Sequence, residues 1–149
     1  MQPADTPHDL RTTPSWLLTQ TATHASRIVS TALGTRHARG YHYRLLATLA
    51  ETGPASQADL SRHSGIDRSD IVATINDLAD RDLVHRQPDP NDRRRNIIHI
   101  TPAGRRELTH LQHALDTAQD TLLAPLDPTD RHELVRLLRR LLTHHEPRD

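Results

Sequence analysis

The 149-residue chain has no cysteine and no phenylalanine, and only one tryptophan and two tyrosines. Without cysteine there can be no disulfide, thiolate metal site or thiol redox switch in this chain. So few rings argue against a stacking platform for single-stranded nucleic acid, which takes several exposed aromatic side chains. No apolar run approaches the roughly 18–20 residues needed to span a bilayer. The N-terminus is acidic and proline-rich, with no apolar segment of the secretory kind, so a cytoplasmic protein with no membrane partner is expected. Net charge is lacking too, because 19 basic residues balance 19 acidic ones. That does not suggest a bulk binder of nucleic acid but leaves a local basic patch open, since steering depends on where charges sit.

Catalytic signatures are also missing. There is no glycine-rich phosphate loop, no thiol nucleophile and no carboxylate pair with a positioned base. Ser15, Ser56 and Ser69 all stand at helix starts, where capping accounts for them. The chain reads as a non-enzyme without a cofactor. Twelve histidines invite a metal reading. However, His110 with His113, and His144 with His145, have no third ligand at metal-binding spacing, so no metal site is assigned.

What is present is mostly leucine, alanine, isoleucine and valine at helical spacing. Residues 1–13 are polar and read as a mobile arm. Pro14 opens a helix to about Leu33, with Leu18, Ala22, Ala25, Val29 and Ala32 on one stripe and Gly34 as its end. A second helix, from about Arg39 to Glu51, turns Tyr41, Leu45, Leu46 and Leu49 inward. Thr52-Gly53-Pro54 breaks it. Ser56 with Asp59 forms a capping box for a short helix that buries Ala58 and Leu60. After Ser64-Gly65-Ile66, Asp67 caps a fourth helix with Ile71, Ile75 and Leu78 on its inner face. Helix, glycine turn and helix form a helix-turn-helix over about residues 56–81.

A β-hairpin follows directly. Val84-His85-Arg86-Gln87 is extended, residues 88–92 carry turn chemistry, and Asn96-Ile97-Ile98-His99-Ile100 is rich in β-branched residues. Arg93, Arg94 and Arg95 occupy its tip. Between His85 and Arg106 there are six arginines and two aspartates, a local excess of four positive charges. Thr101 then caps a helix running from Pro102 to about Leu123, with a seam of Leu108, Leu111, Leu115, Ala118 and Leu122. Asp127-Pro128-Thr129-Asp130 restarts a last helix whose Leu134, Leu137, Leu138, Leu141 and Leu142 are too apolar to face water alone.

The expected fold is therefore mainly α: a winged helix-turn-helix with a two-stranded hairpin as the wing, and terminal helices that dimerise. Residues 39–101 form the winged module. Residues 14–38 and 102–146 form the dimerisation parts. Such a module reads duplex DNA with its second helix in the major groove and its wing in the minor groove. Arg68, Ser69, Val72, Ala73 and Asn76 lie opposite the apolar face of that helix, and Gln57 and Arg86 flank it. In the wing, Asp92 is close enough to brace one of Arg93, Arg94 and Arg95.

The wing also carries a recognisable signature. Asp92-x-Arg94, five residues, then Ile100-Thr101-x-x-Gly104 resembles the Asp-x-Arg-x5-Leu-Thr-x-x-Gly wing motif of the MarR family of bacterial transcriptional regulators, with Ile100 in place of leucine. Asp89-Pro90-Asn91-Asp92-Arg93-Arg94 is similar to the family's approach to that motif. The likeness covers about residues 15–144 and implies a triangular homodimer that binds a double-stranded operator, most often as a repressor. It implies that Arg94 is the wing-tip contact and Asp92 its support. It also implies a cleft for a small anionic aromatic ligand, for which Trp16, His24, Arg27, Arg11, Tyr41 and His42 are candidates by position and chemistry. Ala73 and Asp82 depart from the pattern, where a polar residue and a glycine are usual. A metal-responsive or ligand-independent regulator, and a winged-helix adaptor that binds protein, are the alternatives.

Overall fold

A computed structural model of the chain describes residues 7–147. The elements are α1 (His8–Arg11), α2 (Pro14–Gly34), α3 (Gly40–Thr52), β1 (Ala55–Ser56), α4 (Gln57–Ser64), α5 (Arg68–Asp80), β2 (Val84–Asp89), β3 (Asp92–Ile100), α6 (Pro102–Leu122) and α7 (Pro128–His145). The arm expected over residues 1–13 falls in part on residues 1–6, which lie outside the described residues. Residues 8–11 form one helical turn, so this part of the arm is structured.

The core lies where α3, α4, α5 and the sheet meet, and it extends under α2 and α6. Leu45, Leu46, Leu49, Leu60, Ile66, Ile71, Ile75, Leu78, Ile98 and Leu111 are fully buried within it. The wing is the expected two-stranded hairpin of β2 and β3, and the short β1 adds a third antiparallel strand at its base, in the order β1-β3-β2. Ala55 and Ser56 pair with Ile98 and Ile97. Two residues are too few to show an alternating pattern, and Gly53-Pro54 just before them reads as a break.

Three further local expectations change. Tyr41 is not on the inner face of α3; it is 40% exposed, with the Arg44 guanidinium over its ring. His42 is buried instead. It stands three, four and seven residues before Leu45, Leu46 and Leu49, at the centre of their stripe, whereas Tyr41 stands about 100° round the helix. Ala58 is exposed, and α4 buries Leu60 and Ser64 instead. Gly34 is the last residue of α2 and not its left-handed cap; His37, at φ 55°, makes that turn.

The base of the wing is closely tied to α6. Asp82 adopts φ 57°, where asparagine and aspartate are the least strained residues after glycine. The Thr101 hydroxyl donates to the Asp82 carbonyl at 2.7 Å and accepts from the Gly104 N–H at 2.9 Å, which caps α6. Gly104 has no room for a side chain, since a Cβ there would stand 2.1 Å from the Leu83 carbonyl oxygen.

An ion pair invisible to local reading joins three elements. Arg36, after α2, donates from Nε and Nη2 to the two carboxylate oxygens of Glu107 on α6, at 2.9 and 2.7 Å. Arg81, at the end of α5, approaches the same carboxylate at 3.9 Å. The Arg36 hydrogen bonds hold the Glu107 carboxyl below its ordinary range against the opposing effect of burial, and the charge of Arg81 adds to them.

By contrast, α7 buries no residue. Val135, Leu137, Leu138, Leu141 and Leu142 remain exposed along it. Arg131 fixes its start through the Leu126 carbonyl and Asp120.

Candidate nucleic-acid interface

Helix α5 owes its placement to the tight turn before it. Gly65 caps α4 at φ 67°, the Ser61 hydroxyl donates to the Ile66 carbonyl, and the Ser64 hydroxyl accepts from the Ile66 N–H. Asp67 stands at the N-cap of α5, but its side chain makes no cap bond. Its backbone carbonyl accepts from Asp70 and Ile71 instead, a correction to the expected side-chain cap. With Ile71, Ile75 and Leu78 buried, the outward face shows Arg68, Ser69, Val72, Ala73 and Asn76, all exposed. Asp77 does not join this face as a free charge, because its Oδ2 lies 3.3 Å from His42 Nε2.

The wing is built differently from the expected loop with a basic tip. Both strands reach further, and the turn is Pro90-Asn91, where the Asp89 carboxylate accepts from the Asn91 N–H at 2.9 Å. Asp89 pairs with Asp92 and Pro88 with Asn96, so the three residues between Asp92 and Asn96 have no partners on β2. Those residues are Arg93, Arg94 and Arg95. They form a bulge, which bends the strand and re-aims side chains, and all three are exposed. Asp92 does brace Arg94, but through the backbone: its Oδ1 accepts the Arg94 N–H at 3.0 Å. A carboxylate two residues before an N–H closes a local turn, which demands no rotamer of the long arginine side chain.

These parts converge. Gln57 at the start of α4, Arg68 at the start of α5, and Arg94, Arg95 and Asn96 from the wing line one groove of about 360 Å³, floored by Ser56, Ala58 and Ile71. Three guanidiniums around one concavity make an anion-seeking surface. The nearby Asp59 carboxyl is held below its ordinary value, first by its hydrogen bond from Arg62, then by Ser56, with a smaller contribution from the charge of Arg95. At the other end of α5, Arg86 from β2 donates through Nη2 to the Asn76 side-chain oxygen. On β2 and β3, His85 and His99 stack at 4.8 Å as a cross-strand pair, which their positions in the hairpin could have signalled.

The six candidates for a ligand cleft lie on α1, α2 and α3. Arg27 lines a groove of about 320 Å³ between α2 and α6, with Ile28, Thr31, Ala32, Thr35, Thr117, Ala118 and Thr121. Trp16 is half-buried and lies eleven residues earlier on α2, which is about 16 Å along a helix axis. His24 and Arg11 are exposed, as is Tyr41. His42 is already engaged: its Nδ1 accepts from the Arg39 N–H at 2.9 Å. Among the described residues, no group of three or more histidine or acidic side chains is gathered to hold a metal, and no helix is long and apolar enough to cross a membrane.

A short sheet behind two crossed helices, with an exposed second helix and an arginine-bearing hairpin beside it, defines a winged helix-turn-helix protein. Residues 35–95 match the MarR family, and the chain belongs to that family. The transcriptional repressor NicR of Pseudomonas putida is 30% identical over 101 residues, 68% of this chain and 64% of its own length. A protein of Thauera aromatica is 34% identical over 99 residues. The alignments span 60% and 64% of these two curated relatives. A crystal structure from Pseudomonas aeruginosa superposes with TM-score 0.77 at 31% identity, covering 89% of this chain and 98% of that one. The PcaV transcriptional regulator of Streptomyces coelicolor, solved with its natural ligand, gives TM-score 0.76 at 25% identity, covering 95% of this chain and 99% of its own.

Proposed function

We propose that this chain is a cytoplasmic, homodimeric transcriptional repressor that binds a pseudo-palindromic operator in double-stranded DNA. The observation that carries the reading is the convergence of Gln57, Arg68, Arg94 and Arg95 on one groove between the exposed helix and the wing. Helix α5 enters the major groove. Arg68, Ser69 and Asn76 offer polar contacts there, and Val72 and Ala73 offer methyl groups suited to the thymine methyl. The bulge carrying Arg93, Arg94 and Arg95 follows the backbone to the minor groove, whose negative potential draws arginine. Dimerisation is supported by the exposed apolar face of α7, together with Leu17 and Leu18 on α2. Residues 14–38 and 102–146 supply the interface. Selection from a random duplex pool tests the reading. Two inverted half-sites about one helical turn apart are expected; enrichment of a lone half-site, or of nothing, would contradict it.

Release by a small aromatic carboxylate is the second part of the proposal. A similar protein, PcaV, has a natural ligand of its own, which supports a ligand-binding role here. Arg27 in the α2–α6 groove supplies a cation for the carboxylate beside apolar walls. An effective compound is expected to lower operator affinity, and Arg27→Ala is expected to abolish that response. A panel of aromatic acids that leaves operator affinity unchanged argues for ligand-independent regulation.

A further inference from the structure

We propose that Arg86 is a positioning residue for base selection. It holds the Asn76 carboxamide so that N–H donors face the operator, which disfavours adenine as the base that Asn76 meets on its strand. The proposal rests on the operator reading above and says what one position of that operator contains.

The wing's register places Arg86. It pairs across the sheet with Ile98, which is buried, and it stands two residues after buried Val84. Alternation puts Val84 and Arg86 on the same inner face of β2. Val84 ends in the core, and Arg86, one pair nearer the tip, emerges at the core's edge beside α5. There its Nη2 donates to the Asn76 Oδ1. A guanidinium can only donate, so the Asn76 atom facing it must be the oxygen, and the amide orientation follows. Asn76 lies one turn after Val72, which is 43% exposed on the same outward stripe.

The chemical consequence concerns adenine. An asparagine reads adenine with both ends of its amide: the oxygen accepts from N6 and the nitrogen donates to N7. Here a cation already occupies the oxygen. Oδ1 keeps a second lone pair, but an adenine amino group approaching it meets the guanidinium, donor against donor. Guanine O6 and N7, and thymine O4, are acceptors. They match the free N–H groups of Asn76 and those left on Arg86. Arg86 and Asn76 therefore act as one donor-only unit, assembled from two elements.

Duplex selection with the full chain tests this, comparing the wild type with Arg86→Ala, Arg86→Lys and Asn76→Ala. The wild type should deplete adenine at one position in each half-site and enrich guanine or thymine there. Arg86→Ala frees the amide and should raise adenine at that position about tenfold, other positions being unchanged. Asn76→Ala should flatten it, and Arg86→Lys, which retains a donor, should stay near the wild type. Fold stability does not move a single-position preference, so this readout separates positioning from a merely structural role. Adenine enriched by the wild type at that position would overturn the proposal. So would uniform weakening by Arg86→Ala with every base preference kept. A wild type that enriches no sequence would overturn the operator reading itself, whereas an intact operator insensitive to both residues would overturn only the role of Arg86.

Discussion

Replacing Arg93, Arg94 and Arg95 together with alanine is expected to weaken operator binding by about a hundredfold or more at moderate salt. The magnitude builds from the single residue: Arg94→Ala alone should cost about 1–3 kcal/mol, as for a groove-inserting arginine. A dimer loses both wings at once. The triplet is also most of the local positive excess in a chain whose net charge is zero, so no diffuse positive charge can compensate. Salt dependence distinguishes the mechanism from a general loss of affinity. Each phosphate contact removed lowers the slope of log K against log salt by about 0.9, so the triple variant should flatten the slope by several units. Thermal stability should hardly change, because the three side chains are exposed in a bulge that pairs with nothing on β2. Anisotropy titrations at three salt concentrations, with a melt as control, would decide the matter. Equal affinity and equal slope would remove the wing from the interface.

Gly104→Ala is expected to destabilise the fold by about 1–3 kcal/mol, although it replaces glycine with the best helix former. Two effects compete. Alanine gains about 1 kcal/mol of helix propensity inside α6. Against that, its Cβ would sit 2.1 Å from the Leu83 carbonyl oxygen and 2.8 Å from the Ile100 Cγ1. The first neighbour is backbone and cannot rotate away. Relief requires moving α6 off the base of the wing, which breaks the bond from the Thr101 N–H to that same carbonyl and shifts Leu83, itself buried. Overpacking of this kind costs about 1–3 kcal/mol and occasionally more, and the lost backbone bond adds about 1 kcal/mol. The clash therefore wins. Gly34→Ala is the control: nothing lies within 4 Å of a Cβ there, so it should be neutral or slightly stabilising. Urea unfolding at one protein concentration compares the two. A Gly104→Ala chain as stable as the Gly34→Ala chain would show that the close approach is not needed.

The arginine triplet and Gly104 belong to opposite ends of one short motif. Asp92-x-Arg94 shapes the backbone that presents the arginines, and Thr101-x-x-Gly104 fastens the other end of the same strand to α6. A strand held at one end by a cap and a contact without a side chain, and freed from its ladder at the other, is anchored at its root and adaptable at its tip. That division suits a wing that must keep its aim while fitting a groove of variable width.

The sequence by itself determined the order and types of the main elements, though not α1 or β1, and most of the inward-facing side chains of the helices, Tyr41 and Ala58 being the exceptions. Leu45, Leu46 and Leu49, or Ile71, Ile75 and Leu78, can be read from spacing because a helix has one period and burial follows it. The caps at Ser56, Thr101 and Asp127 were legible for the same reason: a cap and the N–H it accepts are three residues apart. Tertiary structure alone decided matters of register and of distant partners. Whether Arg93, Arg94 and Arg95 sit in a turn or in a bulge depends on how β2 and β3 align, which no strand encodes alone. That the buried His42 ring finds a partner in Asp77, 35 residues away, is likewise decided only by the packing of α3 against α5. Glu107 meets Arg36 across 71 residues, and neither neighbourhood marks the pairing. Local chemistry is written in neighbouring residues. A contact between elements exists only once the core has brought two separate surfaces together.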